Sequence, residues 1–202
     1  MNFGAVILAG GESRRMGRDK AWLELDGRPL IARALSTIRA SGIEEIFVSG
    51  RAGGDYSAVS CPVLLDREPG RGPLAGIERA LEAVCNPLLL VLAVDLPHMT
   101  AAFLRKLAGR CDPLTGVIPK WKGEWEPLAA IYPKRCRFIA RDCLLKCRLS
   151  ARDFAAACLQ ERAVRPLAVS PADAACLDNW NVPADVSASR PKPELPERKQ
   201  AH

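Results

Sequence analysis

The chain has 202 residues, of which 49% are hydrophobic, 26% charged and only 5% aromatic, with a net charge of +6. Such a length and apolar content suit one compact domain with a buried core and exclude a disordered chain. No run approaches the roughly 20 apolar residues that span a bilayer, and Met1 leads into an apolar segment without a basic leader. The eight cysteines are irregularly spaced and no secretory signal accompanies them, so a cytoplasmic protein with reduced thiols is expected, with no membrane partner. The positive charge is mild. It suits a polyanionic small substrate as well as nucleic acid, or serves solubility alone.

In chain order, residues 3–8 (FGAVIL) form a short apolar run ending at Gly10 and Gly11, the pattern of a buried parallel strand before a tight loop. Residues 29–41 place Leu30, Ala34, Leu35 and Ile38 at helical spacing, with Pro29 at the start and Gly42 after the end. Residues 46–49 and 62–65 are β-prone, and a loop lies at 52–56 between them. A helix opens at Pro73, where Leu74, Ile77, Leu81 and Val84 trace one apolar stripe.

Residues 87–94 (PLLLVLAV) are the most hydrophobic run and stop at Asp95, as a central strand does when it delivers a carboxylate to its C-terminal end. Ligands of open α/β sheets bind at those ends, so Gly10, Gly11 and Asp95 are expected in one crevice. Helices are predicted at 99–107, 135–146 and 150–159, and strands at 116–119, 128–132 and 163–169. The alternation predicts α/β layering. A domain over 1–186 is expected, followed by a Ser-, Pro-, Lys- and Glu-rich tail over 187–202 that cannot bury enough surface to order.

The segment 8–20, LAGGESRRMGRDK, joins glycines to Ser13, Arg14, Arg15, Arg18 and Lys20. Glycines let backbone N–H groups approach phosphate, arginine offers a planar fork and lysine a mobile charge. It is a phosphate cradle, yet it has neither the Walker GKS/GKT ending nor the GxGxxG of dinucleotide folds.

Extended to LAGGESRRMGRDKAWLELDGRPL, this segment resembles the signature of the molybdenum cofactor guanylyltransferases, in the MobA-like nucleotidyltransferase family. The resemblance continues through Asp66, GPLAG at 72–76, VDLPHM around Asp95 and the NWNVP of 179–183, covering nearly all of residues 3–186. It implies a three-layer α/β/α, Rossmann-like fold with a mostly parallel central sheet. By the same resemblance Leu8, Ala9, Gly10 and Gly11 hold the nucleotide, Arg15 and Lys20 bind its phosphates, and Asp66 touches the nucleotide. Asp95 ligates Mg2+, Arg15, Lys20 and Asp95 are catalytic, and Asn181 with Asn179 completes the metal or acceptor site. Two positions depart from the family pattern: Ser49 stands where Asn is frequent, and the closing motif is Asn-Val-Pro rather than Asn-Thr-Pro.

The implied reaction is attack of a pterin's terminal phosphate on the α-phosphorus of GTP, with pyrophosphate leaving. Neither His98 nor His202 is needed as a base, because the attacking phosphate is already anionic. The implied partners are GTP, molybdopterin or molybdenum-molybdopterin, molybdoenzyme chaperones and the metal-insertion enzyme, with no nucleic acid. Gly10-Gly11 and Asp19-Lys20 favour GTP over the CTP of related cytidylyltransferases. Cytidylyl transfer to the same pterin, another phosphorylated acceptor, and a nucleotide-binding module without turnover stand as alternatives.

Other readings of single residues stay open. Asp95 can cap the following helix and Asn181 can cap a turn. Cys136, Cys143 and Cys147, spaced by seven and four, fall on one helix face with Ile139 and fit a core stripe better than a metal site. Trp121 and Trp125 flank the turn at 122–124 and suit either core packing or a lid that stacks on a ring, with the loop through Glu126 and Pro127 on the acceptor side.

Overall fold

Successive residues of a strand face opposite ways, so an unbroken apolar run needs cover on both sides. The computed structural model, which describes residues 3–9, 20–67 and 70–180, shows that cover. Its elements in chain order are β1 (Phe3–Leu8), β2 (Glu24–Leu25), β3 (Arg28–Pro29), α1 (Leu30–Ala40), β4 (Glu45–Gly50), β5 (Val63–Leu65), α2 (Gly72–Ala83) and β6 (Leu88–Ala93). There follow α3 (Ala101–Ala108), β7 (Gly116–Trp121), β8 (Glu124–Trp125), β9 (Ala129–Pro133), α4 (Arg137–Leu145), α5 (Ala151–Gln160) and β10 (Val164–Ala168).

Every residue of β6 is buried. Leu88, Leu90 and Leu92 join the core under α1 and α3, while Leu89 and Val91 join the core under α2, α4 and α5. In β1, Ala5 and Ile7 take the first side and Val6 the second. The result is the expected three-layer α/β/α arrangement.

The main sheet runs β10-β7-β9-β6-β1-β4-β5, with β8 pairing onto β7. Strand β1 is parallel to β4 and β6, β4 to β5, and β7 to β10. Strand β9 alone on this path runs against its neighbours, β6 and β7. Its direction brings its N-terminal end to the edge where β6 finishes, and Ala93 N–H donates to Leu128 O at 2.8 Å.

Details below the level of hydrophobic pattern differ from expectation. Strands β2 and β3 form a separate ribbon joined by Asp26 and Gly27 at φ 52° and 72°, the double left-handed turn that favours Asp-Gly. The helix expected over 135–146 is divided: a 3-10 turn at Lys134–Cys136 precedes α4. Cys136 and Cys143 are buried as expected, but Cys147 lies beyond the helix, exposed and at φ 55°, so it is not part of the core stripe. Residues 181–202, including the expected tail, lie outside the described residues.

Candidate active site

The chain passes outward from β1 to β4 and β5, then returns to β6 on the other side of β1. That reversal opens a crevice at the C-terminal ends of β1 and β6, where ligands of open α/β sheets bind. Leu8 and Ala9 are held there by both neighbours: Val94 N–H donates to Leu8 O at 3.3 Å, and Ala9 N–H to Ser49 O at 2.9 Å.

Asp95 follows β6 into the crevice. Its Oδ2 accepts from Lys20 Nζ at 2.9 Å, and the two side chains are only 16% and 22% exposed. The contact joins residues 75 apart in sequence. Partial burial strengthens such a pair relative to one on the open surface. Asp95 does not cap α3; Thr100 does, accepting from Phe103 N–H at 3.2 Å. The backbone of Asp95 is tied as well, since Trp180 N–H donates to its carbonyl at 3.0 Å. Trp180 is buried, and His98 meets its ring edge-on at 6.1 Å between centroids. Asn179 is thereby brought beside Asp95 and lines the adjoining cavity.

Asp66 follows β5 and donates its N–H to Gly50 O at 3.1 Å. It shares the sheet edge with Asp95 but stands three strands away, about 14 Å at ordinary strand spacing. The two carboxylates therefore cannot share one metal ion. Burial pushes the Asp66 carboxyl up from its ordinary value. Between them, α2 approaches the sheet at Gly76, where an added Cβ would stand 2.2 Å from Ser49 Oγ and 3.2 Å from Leu8 Cδ2. This close approach explains the second glycine of GPLAG. Ser49 is 3% exposed and lies against α2 at Gly76.

On the other flank of Asp95 lies a cavity of about 260 Å³, whose lining includes Ala93, Leu96, Glu126, Leu128, Arg152 and Asn179. The segment leading into the reversed β9 supplies Glu126 and Leu128, and α5 supplies Arg152 through a start capped by Ser150, whose Oγ accepts from Arg152 N–H at 3.1 Å. Of the 121–127 segment, Glu126 and Pro127 line the cavity and neither tryptophan does. Lys122 and Gly123 make a tight turn at φ 49° and 87°, which sends the rings back onto the body. Trp121 packs on one core and Trp125 on the other, each with a lysine ammonium over its ring. Both therefore pack on the cores, and the lid reading is set aside.

Gly10, Gly11, Arg15 and Asn181 lie outside the described residues, as do Ser13, Arg14, Arg18 and Asp19. The structure joins Leu8, Ala9, Lys20, Asp95 and Asn179, and it sets Asp66 at the far end of the same edge. Glu126 was placed on the acceptor side only as part of the loop after Trp125, and Arg152 was not singled out, because no local motif marks either. Among the described residues no group of three or more His, Cys, Asp or Glu could hold a metal ion. Asp95 offers one hard carboxylate, which suits Mg2+ where substrate phosphates and water supply the remaining oxygens.

The MobA-like NTP transferase domain family matches residues 5–162. A protein of Opitutus terrae named probable molybdenum cofactor guanylyltransferase is 37% identical over 93% of this chain and 94% of its own length. One of the same name from Carboxydothermus hydrogenoformans is 38% identical over 66% of each chain. Among solved structures, molybdopterin-guanine dinucleotide biosynthesis protein A of Archaeoglobus fulgidus superposes with a TM-score of 0.73 at 23% identity, covering 92% of this chain and 96% of its own. The 2-C-methyl-D-erythritol 4-phosphate cytidylyltransferase of Thermus thermophilus gives 0.68 at 20% identity, covering 94% and 97%; these two likenesses speak for the fold. With the family matched over most of its length and a relative similar from end to end, the chain belongs to the MobA-like NTP transferase family.

Proposed function

We propose that the protein transfers GMP from GTP to the terminal phosphate of molybdopterin, releasing pyrophosphate. The observation that carries the reaction class is the Lys20–Asp95 pair in the crevice beyond β6, a cation and a carboxylate set where a triphosphate would lie. The choice of GTP and a pterin acceptor is supported by full-length similarity to a relative named as a guanylyltransferase.

In this reading Leu8, Ala9, Gly10 and Gly11 seat the nucleotide and Asp66 contacts it three strands away. An oxygen of the acceptor phosphate attacks the α-phosphorus. The new oxygen–phosphorus bond forms as the bond to the β-phosphate oxygen breaks, and the electron pair leaves on pyrophosphate. Lys20, with Arg15, offsets charge on the phosphates; the resemblance assigns Asn181, with Asn179, to the metal or acceptor site. Asp95 would hold Mg2+, which would supply neutralisation of the charge building on the transferring group. On nucleotide binding Lys20 exchanges the Asp95 carboxylate for phosphate oxygens, so the apo ion pair keeps both groups aligned in the crevice beforehand.

Under the same reading the enzyme works in the cytoplasm, with molybdenum-molybdopterin as an acceptor form and molybdoenzyme chaperones and the metal-insertion enzyme as partners. Among the described residues no helix is long and apolar enough to cross a membrane. Pyrophosphate release with GTP, CTP, ATP and UTP in parallel, with and without molybdopterin, tests the proposal. Release with GTP that depends on molybdopterin is expected; preference for CTP would reassign the base, and no release would end the reading.

A further inference from the structure

The cavity beside Asp95 holds a carboxylate that the transfer chemistry does not use. Glu126 is half-buried just ahead of β9, and burial pushes its carboxyl up, with the Glu124 carboxylate adding and the Arg152 guanidinium opposing. Among the described residues, no donor hydrogen-bonds its side chain. Arg152, on the lining of the same cavity, turns its guanidinium to the exposed Glu124 instead, at 3.5 Å. A carboxylate partly removed from water without a donor is costly, and such groups in clefts are candidates for ligand contact.

The surroundings narrow the class of ligand. Ala93, Leu96 and Leu128 give the cavity an apolar wall, and its 260 Å³ lies just below the usual range of about 300–1,000 Å³ for small-molecule sites. That space suits a single flat ring system and not a second nucleotide or a peptide. A 2-amino-4-oxo-pteridine presents an amino group and a ring N–H side by side, a donor pair that one carboxylate accepts in a two-point fork, as it does from arginine.

We propose that Glu126 is the specificity-determining residue of the acceptor site, accepting the amino and ring N–H donors of a pteridine that lies against Ala93, Leu96 and Leu128. This rests on the reading of the acceptor as a pterin. The ring end is then anchored at β9, and the phosphate end extends past Asn179 toward Asp95. A ring lacking the donor pair leaves Glu126 buried and unsatisfied, and is rejected on that account.

The test is calorimetric titration of the full chain with molybdopterin and, separately, with GTP, for wild type, Glu126→Gln and Glu126→Asp. Loss of charge-assisted hydrogen bonds should weaken molybdopterin by roughly tenfold or more in Glu126→Gln, with partial recovery in Glu126→Asp and the dissociation constant for GTP unchanged. An unchanged constant for molybdopterin, equal weakening of both ligands, or wild type that does not bind molybdopterin would each overturn the proposal. Pyrophosphate release by wild type is read separately. If wild type binds molybdopterin through Glu126 but releases no pyrophosphate from GTP, the transfer reading falls and the Glu126 assignment stands.

Discussion

The two flanks of Asp95 are built on opposite electrostatic principles. Toward β1, its carboxylate already has a partner in Lys20 and both charges are partly shielded. Toward β9, Glu126 has burial without a described donor. The first flank is a matched pair awaiting an exchange of partners. The second is an acceptor awaiting donors. A site that moves a charged group between two substrates gains from the difference: charge development needs cations in place beforehand, whereas acceptor choice is sharpest where a wrong ligand leaves a polar group unpaired.

The largest effect that can break this contrast is on turnover. Lys20→Ala and Asp95→Ala should each lower kcat by ~10² or more, while molybdopterin affinity stays within a few-fold of wild type. Near-normal steady-state rates in both variants would remove the charge-stabilising role from that flank. Next in size is the packing beneath the nucleotide side. Gly76→Ala places a Cβ against Ser49 Oγ and Leu8, and should lower stability by about 1–3 kcal/mol in urea unfolding. Ser49→Ala in the same chain should recover part of that loss, because it removes the nearer atom; strictly additive effects would show that the two residues do not meet.

The smallest effect concerns the two lone carboxyls. Burial raises both Asp66 and Glu126, so the charged form costs more in the folded state than in the unfolded chain. The stability each contributes is complete below its unfolded value and is lost as pH rises through the folded value. Asp66→Asn and Glu126→Gln should therefore each melt slightly above wild type at neutral pH, with the gap closing as pH falls into the ordinary carboxylate range. A gap that persists at low pH would assign the gain to something other than charge burial. A rise for Glu126→Gln alone would sharpen the contrast between the flanks.

Much of this arrangement was legible in the residues. The apolar runs of β1 and β6, the stripes of α1 and α2, and the placement of Asp95 at a strand end follow from periodicity and burial, which are local properties of the chain. So does the closeness of Leu8 to Asp95, once two buried strands are taken as neighbours in a parallel sheet. Residue patterns also marked Lys20 as a phosphate cation, although its contact with Asp95 crosses 75 positions.

Other features had no local signature. Strand β9 has the same apolar character as the parallel strands of the sheet, and its reversal is set by its place between β6 and β7, against which it runs. That insertion, decided by which edges remain to be paired, carries Glu126 to the active edge. Thr100 rather than Asp95 caps α3 because the chain leaves β6 into the crevice before turning into a helix. Cys147 leaves the buried stripe because α4 ends before it. Local composition determined which segments are buried and which charges suit phosphate, since burial and hydrogen-bonding capacity belong to each residue. Tertiary pairing decided which of those charges meet and which are left without a partner, since strand direction and order depend on the whole sheet.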